Sequence, residues 1–88
     1  MKFKYDEKWN CGWRANEWDV RGDESRKFTL EDGRTGCMRV YESVGGWNGV
    51  VMMDDDTIVY SSQSWGERRK AQAMSFCINK FREWVAAQ

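Results

Sequence analysis

Several short segments upstream of the C-terminus alternate large apolar and polar residues with the period of two that marks a half-buried strand. The pattern begins at Lys2 to Tyr5, where charged and aromatic residues alternate, and Trp9-Asn10-Cys11-Gly12 then predicts a turn. Trp13 to Val20 predicts another strand. Trp13 and Ala15 fall on odd positions while Trp18 and Val20 fall on even ones, so a bulge near Asn16 is needed to bring them to one face. The polar, glycine-containing stretch Arg21 to Arg26 predicts a loop. From Lys27 to Glu31 the pattern sets Phe28 and Leu30 on one face with Thr29 opposite, and Asp32-Gly33 supplies a turn that favours positive φ. Cys37 to Tyr41 returns, with Met38 and Val40 on one face and Cys37, Arg39 and Tyr41 on the other. Val44-Gly45-Gly46 reverses the chain again. The apolar segment Trp47 to Met53 leads through Asp54-Asp55-Asp56 into Thr57 to Ser61, a second hairpin.

The period changes near the C-terminus. Ser64-Trp65-Gly66-Glu67 matches a capping box, in which the Ser and Glu side chains each satisfy an orphaned backbone N–H, and predicts a helix from about Trp65 to Val85. At about 100° per residue, Ala71, Met74, Ile78, Phe81 and Val85 form one stripe, extended on one side by Cys77 and Trp84. Arg68, Gln72, Ser75, Asn79, Arg82 and Glu83 lie away from it, and Phe76 lies almost opposite. Parallel crossovers need a dozen or more residues, and the connections here are shorter. The expected fold is therefore α+β: one domain over residues 1–88, an antiparallel meander of about four to six strands packed by one C-terminal amphipathic helix.

Composition sharpens this picture. A chain of 88 residues supports one core, and six Trp, three Tyr and four Phe against few aliphatic residues predict that it is rich in aromatics and Met. Fourteen basic and fourteen acidic residues give zero formal net charge, so no global field favours polyanions. Cys11, Cys37 and Cys77 are odd in number and widely spaced, which fits a reducing cytoplasm better than a disulfide framework or a zinc site. No apolar run approaches a membrane span, and the N-terminus lacks the apolar core of a signal peptide.

Candidate chemistry is sparse. The chain has no histidine, and no nucleophile elbow or phosphate-binding loop is present, so the expectation is a protein that is not an enzyme and needs no cofactor. Asp54-Asp55-Asp56 offers three carboxylates to a hard cation, but consecutive side chains diverge in an extended turn, and a soluble hairpin tip is the better reading. Arg68-Arg69-Lys70 sits in the predicted first helical turn, where the helix dipole disfavours positive charge. Either an anion repays that cost, or Glu67 and Asp54 to Asp56 neutralise the cluster. Six Trp are more than one stripe and one sheet face readily hide, and Trp9, Trp13 and Trp65 are the candidates for exposure.

A strand-strand-strand-helix tail whose helix opens with Arg68, Arg69, Lys70 and Ala71 resembles, from Gly36 to Trp84, the C-terminal half of a double-stranded-RNA-binding domain. The resemblance implies phosphate contacts from that helix start. The chain departs from the pattern where Phe76 and Asn79 replace small residues, and upstream, where strands and loops stand in place of the family's first helix.

The function expected from these residues is a small non-enzymatic module that binds a larger protein through Trp65, Arg68, Arg69, Lys70 and Phe76. Its composition has the look of phage or mobile-element accessory proteins that inhibit host defence complexes. The alternative is nucleic-acid or nucleotide binding through the basic helix start and an exposed Trp. A sheet edge offers a route to a homodimer.

Overall fold

The computed structural model describes residues 1–11, 24–43, 46–62 and 68–88, forming strands β1 (Phe3–Tyr5), β2 (Asn10–Cys11), β3 (Glu24–Leu30), β4 (Thr35–Ser43), β5 (Gly46–Met53) and β6 (Ile58–Ser61) and helix α1 (Lys70–Ala86). The architecture is the expected α+β meander. One antiparallel sheet has the order β1-β3-β4-β5-β6, with β2 also pairing β3. The predicted strand from Trp13 to Val20 with its bulge, and the Ser64 to Glu67 capping box, lie outside the described residues.

Two turns of the same design set the sheet. After β3, the Leu30 amide donates to Arg34 O and the Gly33 amide to Leu30 O, while Asp32 Oδ1 accepts from the Arg34 amide. After β5, the Met53 amide donates to Thr57 O and the Asp56 amide to Met53 O, while Asp55 Oδ1 accepts from the Thr57 amide. The position that needs a left-handed backbone holds Gly33 (φ 92°) in the first turn and Asp56 (φ 72°) in the second.

Strand ends differ from the pattern-based boundaries because ladder partners outweigh polarity. Glu24, Ser25 and Arg26, expected in a loop, pair with Val40, Arg39 and Met38. Asn10 and Cys11, expected in a turn, pair with Ser25 and Glu24 as β2. Between β1 and β2 the chain leaves the ladder, and Arg26 covers the gap. Its guanidinium donates to the carbonyls of Asp6 and Glu7 and stacks 4.1 Å from the centroid of the Tyr5 ring.

Register places Phe28, Gly36 and Met53 in one cross-strand row, with Met38 and Val51 in the next. These rows face α1, which buries Ala73, Cys77, Phe81 and Val85 against them. The buried stripe is thus rotated by about 60° from the one that periodicity alone suggests. Ala71 is exposed, and Met74, Ile78 and Trp84 flank the core half-buried. Gly49 explains the phase. A side chain there would meet Cys77 Sγ at 2.5 Å, so the missing Cβ leaves the notch in which Cys77 sits. Burial pushes the Cys77 thiol up to about 12, which makes it an unreactive core residue.

The aromatics divide between centre and rim. Phe81 lies between Phe3 (5.0 Å, 80°) and Phe28 (4.3 Å, 38°), arrangements that add attraction beyond the area buried. Met38 and Met53 are buried with them, but among the described residues the buried aliphatics Leu30, Val40, Val51 and Val85 outnumber the buried aromatics Phe28 and Phe81, so the core is less aromatic than expected. Trp9, Trp47 and Trp84 are half-buried at its edge, so Trp9 is a rim residue rather than an exposed one. Trp13 and Trp65 lie outside the described residues.

Candidate partner-binding surface

The basic cluster does not occupy one helical turn. The helix begins at Lys70 instead of Trp65, and Arg69 is its N-cap, with extended backbone (φ −125°, ψ 145°) and no side-chain cap. Arg68 and Arg69 therefore precede the helix and are exposed. Arg69 still stands at the positive end of the helix dipole, which disfavours its charge. Lys70 is different. It is half-buried, its Nζ lies 3.3 Å from Glu24 Oε2, and it stands 5.7 Å from the centroid of the Trp47 ring.

Of the acids expected to neutralise this cluster, Glu67 lies outside the described residues and Asp54 to Asp56 lie elsewhere. Asp54 to Asp56 form the β5–β6 turn, at the same end of the sheet as the β3–β4 turn, since Gly36 pairs with Met53. That is the C-terminal end of α1, where Arg34 sits 5.6 Å from the Trp84 ring centroid and Arg82 donates to the Tyr5 hydroxyl. The basic end is reached only after the full length of β4 and β5. Glu24, drawn from the predicted loop, is the acid that pairs with Lys70.

The acidic turn itself is built into the fold. Asp54 accepts from the Thr35 hydroxyl, Asp55 holds the Thr57 amide, and Asp56 occupies the left-handed position. The Thr57 hydrogen bonds hold the Asp55 carboxyl below its ordinary value, and the Arg34 amide and guanidinium do the same for Asp32. Among the described residues no group of three or more His, Cys, Asp or Glu side chains is arranged to hold a metal ion.

Phe76 is 42 % exposed on the outer face of α1, while ten other described residues form the buried core. Ala71, Gln72, Ser75 and Asn79 line a shallow depression of about 360 Å³ with it. The small side chains of Ala71 and Ser75 leave the ring standing proud. Seven residues separate it from Arg69, about 10 Å along the helix axis. The structure thus places Phe76 on the N-terminal half of α1 with the exposed Arg68 and Arg69 just ahead of it, and commits Lys70 to a half-buried ion pair with Glu24. Trp65, the remaining candidate, lies outside the described residues.

One feature was not anticipated from sequence. The sheet face opposite α1 holds a groove lined by Ser25, Lys27, Thr29, Thr35, Cys37 and Arg39, with Asp54 at its end. Period-two alternation puts Cys37 and Arg39 on one face, but only the register of β3 against β4 adds Ser25, Lys27 and Thr29. No helix among the described residues is long and apolar enough to cross a membrane. No protein-family profile, curated protein or solved structure matches the chain.

Proposed function

We propose that the chain is a non-enzymatic protein-binding module that acts stoichiometrically on a larger partner, with Phe76 as the apolar anchor and Arg68 and Arg69 as the polar rim. The observation that carries this reading is the 42 % exposure of Phe76, which takes no part in the buried core formed by the described residues. Aromatic anchors ringed by arginine are the composition of interface hot spots. The partner that fits is an acidic protein surface with an apolar pocket, because neither Arg68 nor Arg69 forms an ion pair with a described residue and no acid stands in the first turn of α1.

The non-enzymatic reading is supported by the absence of histidine and by the employment of the carboxylates. Asp32 and Asp55 hold turns, Asp54 binds Thr35, Glu24 pairs with Lys70, and Glu31 accepts from the Lys2 amide. Free thiols at Cys37 and Cys77 favour a reducing cytoplasm as the setting. Occupying a surface of a host complex is the mode of action consistent with a module of this kind.

The test measures partner capture with purified chain, followed by affinity measurement against Phe76→Asp and a joint Arg68→Ala, Arg69→Ala variant. Saturable one-to-one binding to an acidic protein, weakened about tenfold or more by Phe76→Asp, supports the reading. Binding to RNA or DNA instead, with a steep salt dependence that flattens in the double-arginine variant, selects the nucleic-acid alternative. Self-association abolished by Phe76→Asp makes a second copy the occupant.

A further inference from the structure

The outer edge of β1 is open. The Glu31 amide donates to Lys2 O and the Asp6 amide to Lys27 O, so the hydrogen bonds to β3 fall on Lys2, Lys4 and Asp6. Phe3 and Tyr5 stand in the pairs between, and their N–H and C=O groups point away from β3. β1 ends the strand order, and no described residue supplies a partner to those four backbone groups. This surface is separate from Phe76. Phe3 packs against Phe81 and the Tyr5 hydroxyl accepts from Arg82, both in the C-terminal half of α1.

The two faces of the edge differ. Toward α1 the rings of Phe3 and Tyr5 are half-buried and stacked at 5.6 Å, an apolar flank. On the open face Lys2 stands opposite Glu31 and Asp6 opposite Lys27, so each of those charges meets its opposite across the ladder. Lys4 stands opposite Thr29 and forms no ion pair with a described residue, while Glu31 on its diagonal accepts from the Lys2 amide. A depression of about 360 Å³ beside Lys4, lined also by Lys2, Thr29 and Glu31, leaves room for a side chain from an added strand. Lysine on a short edge strand discourages indiscriminate pairing. Pairing with a second copy in the register that uses all four backbone groups sets Lys4 against Lys4, which is destabilising. An acid at that position turns the same contact into an attraction.

We infer that β1 accepts an added antiparallel strand from a protein partner, an extended segment with the pattern apolar-acidic-apolar. Its acid stands opposite Lys4 on the open face. The flanking apolar residues exchange backbone hydrogen bonds with Phe3 and Tyr5 and lie beside their rings on the other face.

An amide-detected NMR titration of the full chain tests this with the end-capped peptide Thr-Val-Glu-Val-Thr. Thr-Val-Lys-Val-Thr is the charge-reversed control, and a copy of the first peptide N-methylated at both valines is the backbone control. The expected result is saturable shifts centred on residues 2–6, with a dissociation constant of about 1 mM. The charge-reversed peptide binds at least about threefold more weakly. The N-methylated copy does not bind, because it cannot donate to the carbonyls of Phe3 and Tyr5. Lys4→Glu inverts the preference between the two charged peptides; Lys4 is exposed, and the spectrum itself reports whether the variant is folded. Phe76→Asp leaves peptide affinity unchanged, so this inference and the partner reading of Phe76 stand or fall separately. Absence of shifts at ~10 mM peptide, shifts centred on Arg68 to Lys70, or full affinity of the N-methylated copy overturns the inference. So does an unchanged preference in Lys4→Glu, or a concentration dependence of the Phe3 and Tyr5 signals without peptide, which makes a second copy the occupant.

Discussion

Adding one methyl group at Gly49 tests how the helix is seated. An alanine Cβ there would lie 2.5 Å from Cys77 Sγ and 3.4 Å from the Ala73 carbonyl oxygen. Nonbonded heavy atoms settle at about 3.5–4.0 Å, so Cys77 or the helix must move by about 1 Å. Cys77 has no accessible surface, so its sulfur cannot turn out into solvent to make room. Overpacking of this kind costs about 1–3 kcal/mol, offset by up to about 1 kcal/mol from replacing a strand glycine. Gly49→Ala should therefore destabilise the protein by about 1–2 kcal/mol, or roughly 4–12 °C in Tm for a chain of this size. Cys77→Ala alone removes one buried heavy atom and costs about 1 kcal/mol. In the double variant the new methyl occupies the space left by sulfur, so the two losses should fall short of their sum by at least about 1 kcal/mol. Urea unfolding followed by tryptophan fluorescence reads all four proteins. A neutral or stabilising Gly49→Ala, or additivity within about 0.5 kcal/mol, would refute the argument that Gly49 sets the phase of α1.

The remaining predictions use other parts of the structure. Asp56→Gly should stabilise by about 0.5–1 kcal/mol because φ is 72° there, and Gly33→Ala should destabilise by a similar amount at φ 92°, both measured by denaturant midpoint. Asp32 and Asp55 have carboxyls held below the ordinary 3.8, so the stability they contribute is present above that pH and lost as pH falls through their folded values. Joint Asp32→Asn and Asp55→Asn replacement should flatten the stability profile on that acid side, and an unchanged acid limb in pH-dependent melting would count against the turn contacts. In native protein at pH 8, a thiol reagent should modify Cys37 long before Cys77, which should react only as the chain unfolds; mass spectrometry of digests distinguishes the two.

The legible parts of the fold were those determined by neighbours in sequence. Asp32-Gly33 announces a positive-φ turn because the backbone requirement and the glycine are adjacent. Alternation from Lys27 to Met53 likewise displays the faces of three strands. The phase of α1 was hidden because it depends on a missing side chain at Gly49, far from the helix in sequence. The same separation hid the Lys70–Glu24 contact, whose acid comes from a segment polar enough to resemble a loop. Polarity misled there because β3 is lengthened by its ladder with β4, which carries Glu24 to the helix start.

The candidate surface was half legible. Phe76 stood out from its position opposite the apolar stripe and is exposed. Arg68 and Arg69 were recognisable as charges, but their place ahead of the helix depended on an N-cap at Arg69 that no capping residue signals. The groove over β3 and β4 required register, which alternation within single strands does not supply.

The central claim is that Phe76 belongs to function and Phe81 to the fold, and the unfolding free energies of Phe76→Ala and Phe81→Ala compare them directly. Phe81 has no accessible surface, so its truncation should cost about 3–5 kcal/mol. Phe76 is 42 % exposed and gains helix propensity on becoming alanine, so its truncation should cost less than about 1 kcal/mol while partner affinity falls at least about tenfold. A loss of stability at Phe76 comparable to that at Phe81, with partner binding unchanged, would contradict the account.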